Sequence, residues 1–251
     1  MTEARLHVTS ASERPDLAAR ARQLQVWPEF QRHGVVVNRY WSRLYESFPD
    51  FQLVVHDSDA DEIVAEGHTI PCAWDGTVPG LPEGVDELLG SAFALKEQGG
   101  APNTLSALAI EVAAAHQGRG VSTMLIRAMV DLARARGLGD LIAPLRPTVK
   151  ERYPLTAIDD YATWTRGDGQ PFDPWIRTHR RLGADILRTA PRSLEITGTV
   201  AEWERWTGQR FSRSGSCVFA GGLAPVEIDL ERDRGTYWEP NVWVRHRVAA
   251  G

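Results

Sequence analysis

The pattern of apolar positions changes at residue 117, from that of a buried strand to that of an amphipathic helix. A mostly apolar run over residues 105–112 predicts a buried strand, whereas apolar residues over 121–133 recur at helical spacing. Gly137 follows the second run and predicts the end of that helix. Between the two runs stands Gln117-Gly118-Arg119-Gly120-Val121-Ser122. The chain therefore predicts a strand, a glycine loop and a helix in succession.

The same pattern predicts alternating helices and strands along the rest of the chain. Before residue 104, it predicts a short strand at 6–8, helices over 13–25 and 35–48, a hairpin of strands 51–56 and 62–73, and a long Gly- and Pro-rich loop over 75–103 with a short helix near 85–89. After residue 137, it predicts strands over 141–145, 193–200, 216–228 and 237–248, a strand beginning at 184, and helices near 158–164 and over 174–183.

Composition favours one domain with a substantial core. The chain has 251 residues, and 43% of them are hydrophobic. No segment has the composition of a linker and no internal repeat is visible, so we expect a single domain over 1–251. In that interpretation, 75–103 is an insertion and 200–251 is a C-terminal extension.

Charge and cysteine content narrow the class of protein. The net charge of -5 argues against nucleic-acid binding, which needs a basic face. No apolar run is long enough to cross a membrane, and residues 1–5 lack a signal-peptide pattern, which predicts a cytoplasmic protein. In that compartment Cys72 and Cys217 are expected as free thiols. No Cys/His cluster has metal-ligand spacing, so no metal is expected.

The glycine loop predicts an anion site. Glycines at 118 and 120 permit a sharp turn, and the amides that follow lie at a helix N-terminus, where the helix dipole is positive. Two well-known phosphate loops do not fit. The Walker pattern requires Gly-Lys-Ser/Thr at its end, and the dinucleotide fingerprint requires a third glycine where Thr123 stands.

The loop resembles the acyl-CoA loop of the GCN5-related N-acetyltransferase (GNAT) superfamily, Gln/Arg-x-x-Gly-x-Gly/Ala. Gln117 and Gly120 match, and Ser122 departs at the last position. The resemblance is most specific over 104–137, loose over 1–74 and 175–188, and absent after about 200. It implies an α/β (α+β) fold with a central mixed, mostly antiparallel sheet flanked by helices. It also gives 75–103 two interpretations, a lid over an acceptor pocket or an ordinary surface insertion.

The resemblance also implies a binding mode for acetyl-CoA or another acyl-CoA. The pyrophosphate would lie on the loop formed by Gln117, Gly118, Arg119, Gly120, Val121, Ser122 and Thr123. The backbone at Ile110 and Val112 would pair with the pantetheine arm, as an added strand does. A backbone amide near the thioester carbonyl would then stabilise developing negative charge.

Two side chains are candidates for proton transfer. Aligning Gly183 with a family glycine puts His179 where a family tyrosine often stands, and imidazole is a suitable acid for the leaving thiolate. The alternative is a surface or capping histidine. Glu111, on the strand beside the expected thioester, is the candidate base, with a raised pKa if it is buried. A structural hydrogen-bond partner is the alternative there.

The acceptor site is less defined by the sequence. Several of the nine tryptophans fall in the last third of the chain, which suits either a core with a homodimer interface or an aromatic wall for the acceptor. On the second interpretation, Trp175, Asn241 and Trp243 would contact the acceptor.

The predicted function is transfer of an acyl group from acyl-CoA to an amine of a small molecule, by direct attack in a ternary complex. A non-catalytic acyl-CoA-binding module and a partner-binding protein on this fold remain as alternatives.

Overall fold

A computed structural model describes residues 6–22, 24 and 26–248. Residues 1–5, on which the prediction about a signal peptide rests, lie outside the described residues. In the described residues, nine strands form one sheet that carries helices on both faces. This confirms the predicted fold class, a mixed and mostly antiparallel sheet flanked by helices. No described helix is long and apolar enough to cross a membrane.

The first third of the chain supplies a hairpin and the short helices that cover it. Its elements are β1 (Leu6–Ser10), α1 (Pro15–Ala21), α2 (Val37–Tyr40), α3 (Leu44–Ser47), β2 (Gln52–Asp57) and β3 (Glu62–Cys72). The single helix predicted over 35–48 is wrong, because α2 and α3 are separated by a 3-10 turn at Trp41–Arg43. The β-branched run Val35-Val36-Val37 disfavours a long helix there.

The middle of the chain contains the predicted strand, loop and helix. Its elements are α4 (Val85–Glu97), β4 (Thr104–Val112), α5 (Val121–Ala135) and β5 (Asp140–Leu145). The prediction of a loop with a short helix over 75–103 is wrong in one respect, because α4 has 13 residues. Its apolar face packs into the core through Leu88, Leu89, Ala92 and Phe93, and this burial stabilises the helix despite Gly90.

The last part of the chain completes the sheet. Its elements are α6 (Ile158–Ala162), α7 (Pro174–Arg181), β6 (Asp185–Gly198), α8 (Val200–Thr207), β7 (Gly215–Cys217), β8 (Val226–Asp229) and β9 (Arg234–Arg247). The strand predicted over 193–200 is the end of β6, and that predicted over 216–228 is two short strands. Asp173 caps α7 by accepting hydrogen bonds from the amides of Trp175 and Ile176.

The sheet order places C-terminal residues beside the centre of the fold. The order is β1-β2-β3-β4-β5-β9-β8-β7, with β6 paired along the other edge of β9. β9, which lies within the predicted extension 200–251, is therefore flanked by β5 and β6. Among the described strands, β4 and β5 form the one parallel pair, and their ladder covers only residues 104–106 and 140–142. Beyond those residues the two strands diverge.

The two faces of the sheet are covered by different helices. On one face α5 packs through Leu125 and Met129, close enough that a Cβ on Gly67 of β3 would lie 2.6 Å from Met129 Cε. On the other face α3 and α4 pack with Ile70, Ile142 and Trp243. Side chains alternate along a strand, so β3 directs Gly67 to α5 and its neighbours Glu66 and His68 to the opposite face.

Candidate active site

A cavity of about 790 Å³ lies where β4 and β5 diverge. Its wall includes residues 107–112 of β4 and 143–145 of β5. β3 occupies one edge of β4 along its whole length, and the other edge loses β5 after Ser106. Backbone groups of Ile110 and Val112 on that free edge can therefore pair with an extended ligand that enters the cavity.

The glycine loop has the conformation that an anion site requires. Gly118 and Gly120 have φ of +73° and +81°, and a Cβ at either position would meet nothing within 4 Å. Gly120 is the N-cap of α5, and no side chain caps that end of the helix. The Gln117 side chain donates a hydrogen bond of 3.1 Å to the Val112 carbonyl, which fixes the loop to the end of β4. Free helix amides therefore adjoin the open edge of β4.

The predicted loop residues lie in different positions relative to the cavity. Gln117 and Ser122 lie on the cavity wall, as do Ile110 and Val112. Gly118, Arg119 and Gly120 are exposed beside the cavity, and Thr123 is half-buried. Val121 is 3% exposed and its side chain packs in the core below α5. At Val121 only the backbone amide is left to face a ligand.

Three buried polar groups converge on the cavity wall. Glu66 of β3 and Glu111 of β4 are cross-strand partners, and His68 lies opposite Ala109. Their ligand atoms all lie within 4.8 Å of one another, and the three residues are at most 4% exposed. We call Glu66, His68 and Glu111 the acidic cluster. Two carboxylates directly opposite each other repel, and a positive charge between them would relieve that repulsion.

Neighbouring side chains orient each member of the acidic cluster. Tyr45 donates a hydrogen bond of 2.5 Å to Glu66 Oε2, and Trp27 Nε1 donates one of 2.7 Å to Glu111 Oε1. Burial raises the pKa of Glu111 despite its attraction to His68 and the bond from Trp27. Burial acts in the same direction on Glu66, but His68 and Tyr45 outweigh it and lower the pKa of that carboxyl. At neutral pH the pair carries negative charge.

His179 of α7 lies on the cavity wall and is 2% exposed. Its Nδ1 is 2.9 Å from His246 Nε2, and its own Nε2 is buried without a hydrogen-bond partner. Burial and, to a smaller extent, the neighbouring His246 lower the pKa of His179 to about 3. The ring is therefore neutral over the working range of most enzymes. Trp175 packs against it, with the ring centroids 4.6 Å apart.

Burial of His179 in its neutral form makes stability depend on pH. The native pKa of about 3 lies below the ordinary 6.5, so the unfolded chain binds a proton that the native chain excludes. Stability is then lost as pH falls below about 6.5, at up to about 1.4 kcal/mol per pH unit. We expect His179→Gln to reduce the loss of unfolding free energy between pH 6.5 and pH 5 by about 2 kcal/mol, measured by urea denaturation. The exposed His7→Gln should leave that loss unchanged, and equal slopes for wild type and His179→Gln would contradict the assignment.

Two of the three residues predicted to contact the acceptor lie on the cavity wall, and the third does not. Trp175 and Asn241 lie on the cavity wall. Trp243 is fully buried in the core with Ile142 and Ala190, because α3 and α4 cover the face of the sheet on which it lies. It therefore does not face the cavity. The prediction that Trp243 contacts the acceptor is corrected accordingly.

Sequence reasoning missed Glu66 and His68, and also a second polar group on the cavity wall. There Arg146 pairs with Glu239, which also accepts a hydrogen bond of 2.8 Å from Gln31 Nε2. The cavity wall includes all three residues. A signal existed for the first pair, since Glu66 and His68 are polar residues at strand spacing in the middle of a largely apolar strand.

Comparisons with known proteins agree with this geometry. The profile of the Acetyltransferase (GNAT) family matches residues 36–149. The chain is 32% identical over 252 residues to the arginine N-acetyltransferase avaD of Aspergillus versicolor, covering 89% of this chain and 86% of that protein.

Two solved structures share the fold along nearly the whole chain. The loading GNATL domain of CurA from Lyngbya majuscula aligns with a TM-score of 0.56 and 14% identity, covering 98% of both chains. The GNAT-like decarboxylase GphF, in complex with isobutyryl-CoA, aligns with a TM-score of 0.58 and 18% identity, covering 98% of this chain and 100% of that one. The chain belongs to the GNAT family, and it is an acyltransferase that transfers an acyl group from acyl-CoA to an amine.

Proposed function

We propose that the acceptor is a small basic amino acid, with arginine as the first candidate, and that the acidic cluster holds its reactive ammonium group. The observation that carries the proposal is the convergence of Glu66, His68 and Glu111 on the cavity beside the open edge of β4. An ammonium group has three N–H donors, which matches three converging acceptors. The name of the avaD relative, an arginine N-acetyltransferase, supports the same class of acceptor.

The reactive group of such an acceptor is its α-amine. Attack on a thioester needs a nitrogen lone pair, and a guanidinium group does not lose its proton in proteins. The α-ammonium loses a proton far more easily. Glu111 adjoins Ile110, whose backbone edge is expected to carry the thioester. An α-amine held by the acidic cluster therefore lies next to the carbonyl that it attacks.

A second polar group on the cavity wall lies near the space left for the carboxylate and the side chain of such an acceptor. Arg146 and Glu239 place a positive and a negative group on that wall, with Asn241 beside them. Glu239 and Asn241 are each 3% exposed, so their polar atoms are shielded from bulk water. An amino acid with a carboxylate and a cationic side chain would have to share these groups with their present partners, because Arg146 and Glu239 bind each other and Glu239 also accepts from Gln31.

For His179 we propose a role as hydrogen-bond acceptor, in place of the donor role that the sequence suggested. Leu182 contributes a backbone hydrogen bond that favours the charged form of His246, so the Leu182 carbonyl accepts from that ring. His246 Nε2 is then the acceptor for His179 Nδ1–H, which leaves a lone pair on His179 Nε2. His179 lies on the cavity wall and its Nε2 has no other hydrogen-bond partner, so that lone pair can accept a hydrogen bond from the acceptor.

Transfer is proposed to occur by direct attack in a ternary complex within a single domain. The open edge of β4 and the acidic cluster are adjacent walls of one cavity, so both substrates fit at once.

We also propose a cytoplasmic location, which the two free cysteines support. The homodimer and the absence of nucleic-acid or membrane partners stay predictions, to be checked by size-exclusion chromatography and binding assays.

An acceptor panel tests the proposal. Acetyl-CoA would be incubated with arginine, with its decarboxylated analogue agmatine, and with the arginine analogue that lacks the α-amino group. We expect acylation of arginine on the α-nitrogen, located by fragmentation in mass spectrometry, and no product from the analogue without that amine. Acylation of the guanidino group, or activity confined to neutral aromatic amines, would overturn the proposal.

A further inference from the structure

We propose that His68 is the group that removes the proton from the acceptor's ammonium and that Gln52 fixes His68 in the tautomer this requires. The inference rests on the proposed function, because it assumes that an ammonium group occupies the acidic cluster. His68 and Gln52 are 2% and 0% exposed, and both lie on the face of the sheet that α3 covers.

The orientation of the Gln52 amide is determined by backbone groups. Its Nε2 donates hydrogen bonds of 3.0 Å and 2.9 Å to the carbonyls of Phe48 and Thr69. Carbonyls only accept, so these two bonds exclude the flipped amide. Gln52 Oε1 then faces His68 Nδ1 at 3.2 Å. An amide oxygen only accepts, so His68 Nδ1 carries the proton.

The other ring nitrogen of His68 is thereby left as the basic atom. In the neutral ring, Nε2 bears the lone pair, and it lies 3.7 Å from Glu66 Oε1 and 3.6 Å from Glu111 Oε1. Both distances exceed that of a good hydrogen bond, and an ionised carboxylate only accepts, so neither carboxylate donates to the lone pair. Nε2 therefore lies between two acceptors, at the place where an N–H of the bound ammonium would point.

Two carboxylates lie beside the proton that His68 Nε2 receives. Glu66 of β3 and Glu111 of β4 are the anions beside Nε2, and the ring also contacts Tyr45 of α3 and Trp41. Arg22 is the nearby cation; its guanidinium carbon is 4.0 Å from the centre of the Tyr45 ring, and the residue also lies on the cavity wall. The imidazolium formed by the transfer is therefore adjacent to two carboxylates.

Imidazole also suits the step better than the carboxylate first predicted for it. Glu111 already accepts a hydrogen bond from Trp27, and a carboxylate is ordinarily a weaker base than imidazole. A general base works best when its basicity lies near the working pH, which is where histidine titrates. Glu111 is therefore assigned the role of counter-charge, and His68 that of proton acceptor.

The proton balance of the reaction is complete with these groups. The ammonium R–NH3⁺ gives one proton to His68 Nε2, and the free lone pair of R–NH2 forms the C–N bond to the thioester carbonyl. The carbonyl is restored as the C–S bond breaks, and the departing thiolate takes a second proton from the nitrogen. The products are the amide, CoA thiol and a His68 imidazolium, which releases its proton to solvent.

The test compares His68→Gln with wild type at saturating acetyl-CoA. For a basic alkylamine acceptor we expect kcat to fall about 100- to 1,000-fold, with the KM for acetyl-CoA unchanged. The residual rate should rise with pH without a plateau, following the fraction of free amine. For an aromatic amine that is already neutral at the assay pH, the loss should be less than about 10-fold, because no proton must be removed before attack.

The outcomes separate this inference from the proposed function. If wild type acylates no basic amine, the proposed function fails. If wild type acylates the basic amine and His68→Gln keeps the wild-type rate and pH profile, only the role of His68 is overturned. Equal losses for basic and neutral amines would indicate a structural role and would also overturn it.

Two measurements on the wild-type enzyme keep the inference testable if the variant does not fold. Nitrogen-15 NMR of histidine-labelled protein should show His68 as the Nδ1–H tautomer, and an Nε2–H tautomer would contradict the proposal. Elemental analysis after dialysis should find no stoichiometric divalent metal. One equivalent of metal, removable by EDTA with loss of activity, would show that Nε2 serves as a ligand instead of a base.

Discussion

Replacing Gly120 with aspartate is expected to weaken acyl-CoA binding about 100-fold. Gly120 is the N-cap of α5, with φ of +81° and open space where a Cβ would point. A carboxylate there would occupy the anion site, accept hydrogen bonds from the free amides of α5 and repel the pyrophosphate. A loss of about 2–3 kcal/mol of charge-assisted hydrogen bonding corresponds to that change in Kd.

Gly137 provides the matched control for this variant. It lies just beyond the other end of α5, has φ of +69°, and also has nothing within 4 Å of the position that a Cβ would take. Gly137→Asp therefore introduces the same backbone strain and the same charge at the wrong end of the helix dipole. We expect it to retain CoA affinity within about 3-fold, measured by calorimetry. Equal losses of CoA affinity in both variants would contradict the loop assignment.

Replacing Glu111 with glutamine is expected to raise the KM for the basic acceptor roughly 30- to 100-fold. The glutamine keeps the shape and the acceptor for Trp27 Nε1, but it removes one of two buried anions from the bound ammonium. Removing one partner of a buried charged hydrogen bond costs about 2–3 kcal/mol. CoA affinity should not change, because the Glu111 side chain lies on the face of the sheet opposite α5.

The same variant should stabilise the free enzyme by about 1 kcal/mol, since Glu66 and Glu111 face each other across β3 and β4 and their repulsion is relieved when one becomes neutral. Urea denaturation in the absence of substrate would measure this change. The control is Glu62→Gln, because Glu62 is an exposed residue of the same sheet, on β3. An unchanged acceptor KM in Glu111→Gln would contradict the role of the acidic cluster.

Local sequence signals predicted the cofactor half of the site. The strand over 104–112, the glycine loop and α5 are contiguous in the chain, and each has a strong periodic or conformational signature. The acceptor half of the site was harder to predict from the sequence. Glu66, Glu111 and Trp27 come together only when β3 and β4 pair and the N-terminal segment packs on them. Trp243 was misplaced since nothing local shows that β9 runs between β5 and β6.

Tertiary packing also overrode local propensity in the helices. Gly- and Pro-rich flanks suggested a loop around α4, yet burial of Leu88 and Phe93 against the sheet sustains thirteen helical residues. Gly84 marks the start of that helix for a non-local reason, because a Cβ there would lie 2.1 Å from Ser193 Cα of β6. Such an approach between distant segments leaves no trace in the sequence around residue 84.

Single-turnover mass spectrometry tests the central claim most directly, namely that an acyl group passes from acyl-CoA on the edge of β4 straight to an amine in the acidic cluster. Enzyme preloaded with acetyl-CoA would be mixed with arginine and quenched at successive times. The predicted result is that acetyl-CoA disappears at the rate at which Nα-acetylarginine forms, with no acetyl group on the protein at any time. Consumption of acetyl-CoA through an acetylated protein side chain, or bound acetyl-CoA that no basic amine consumes, would contradict the account.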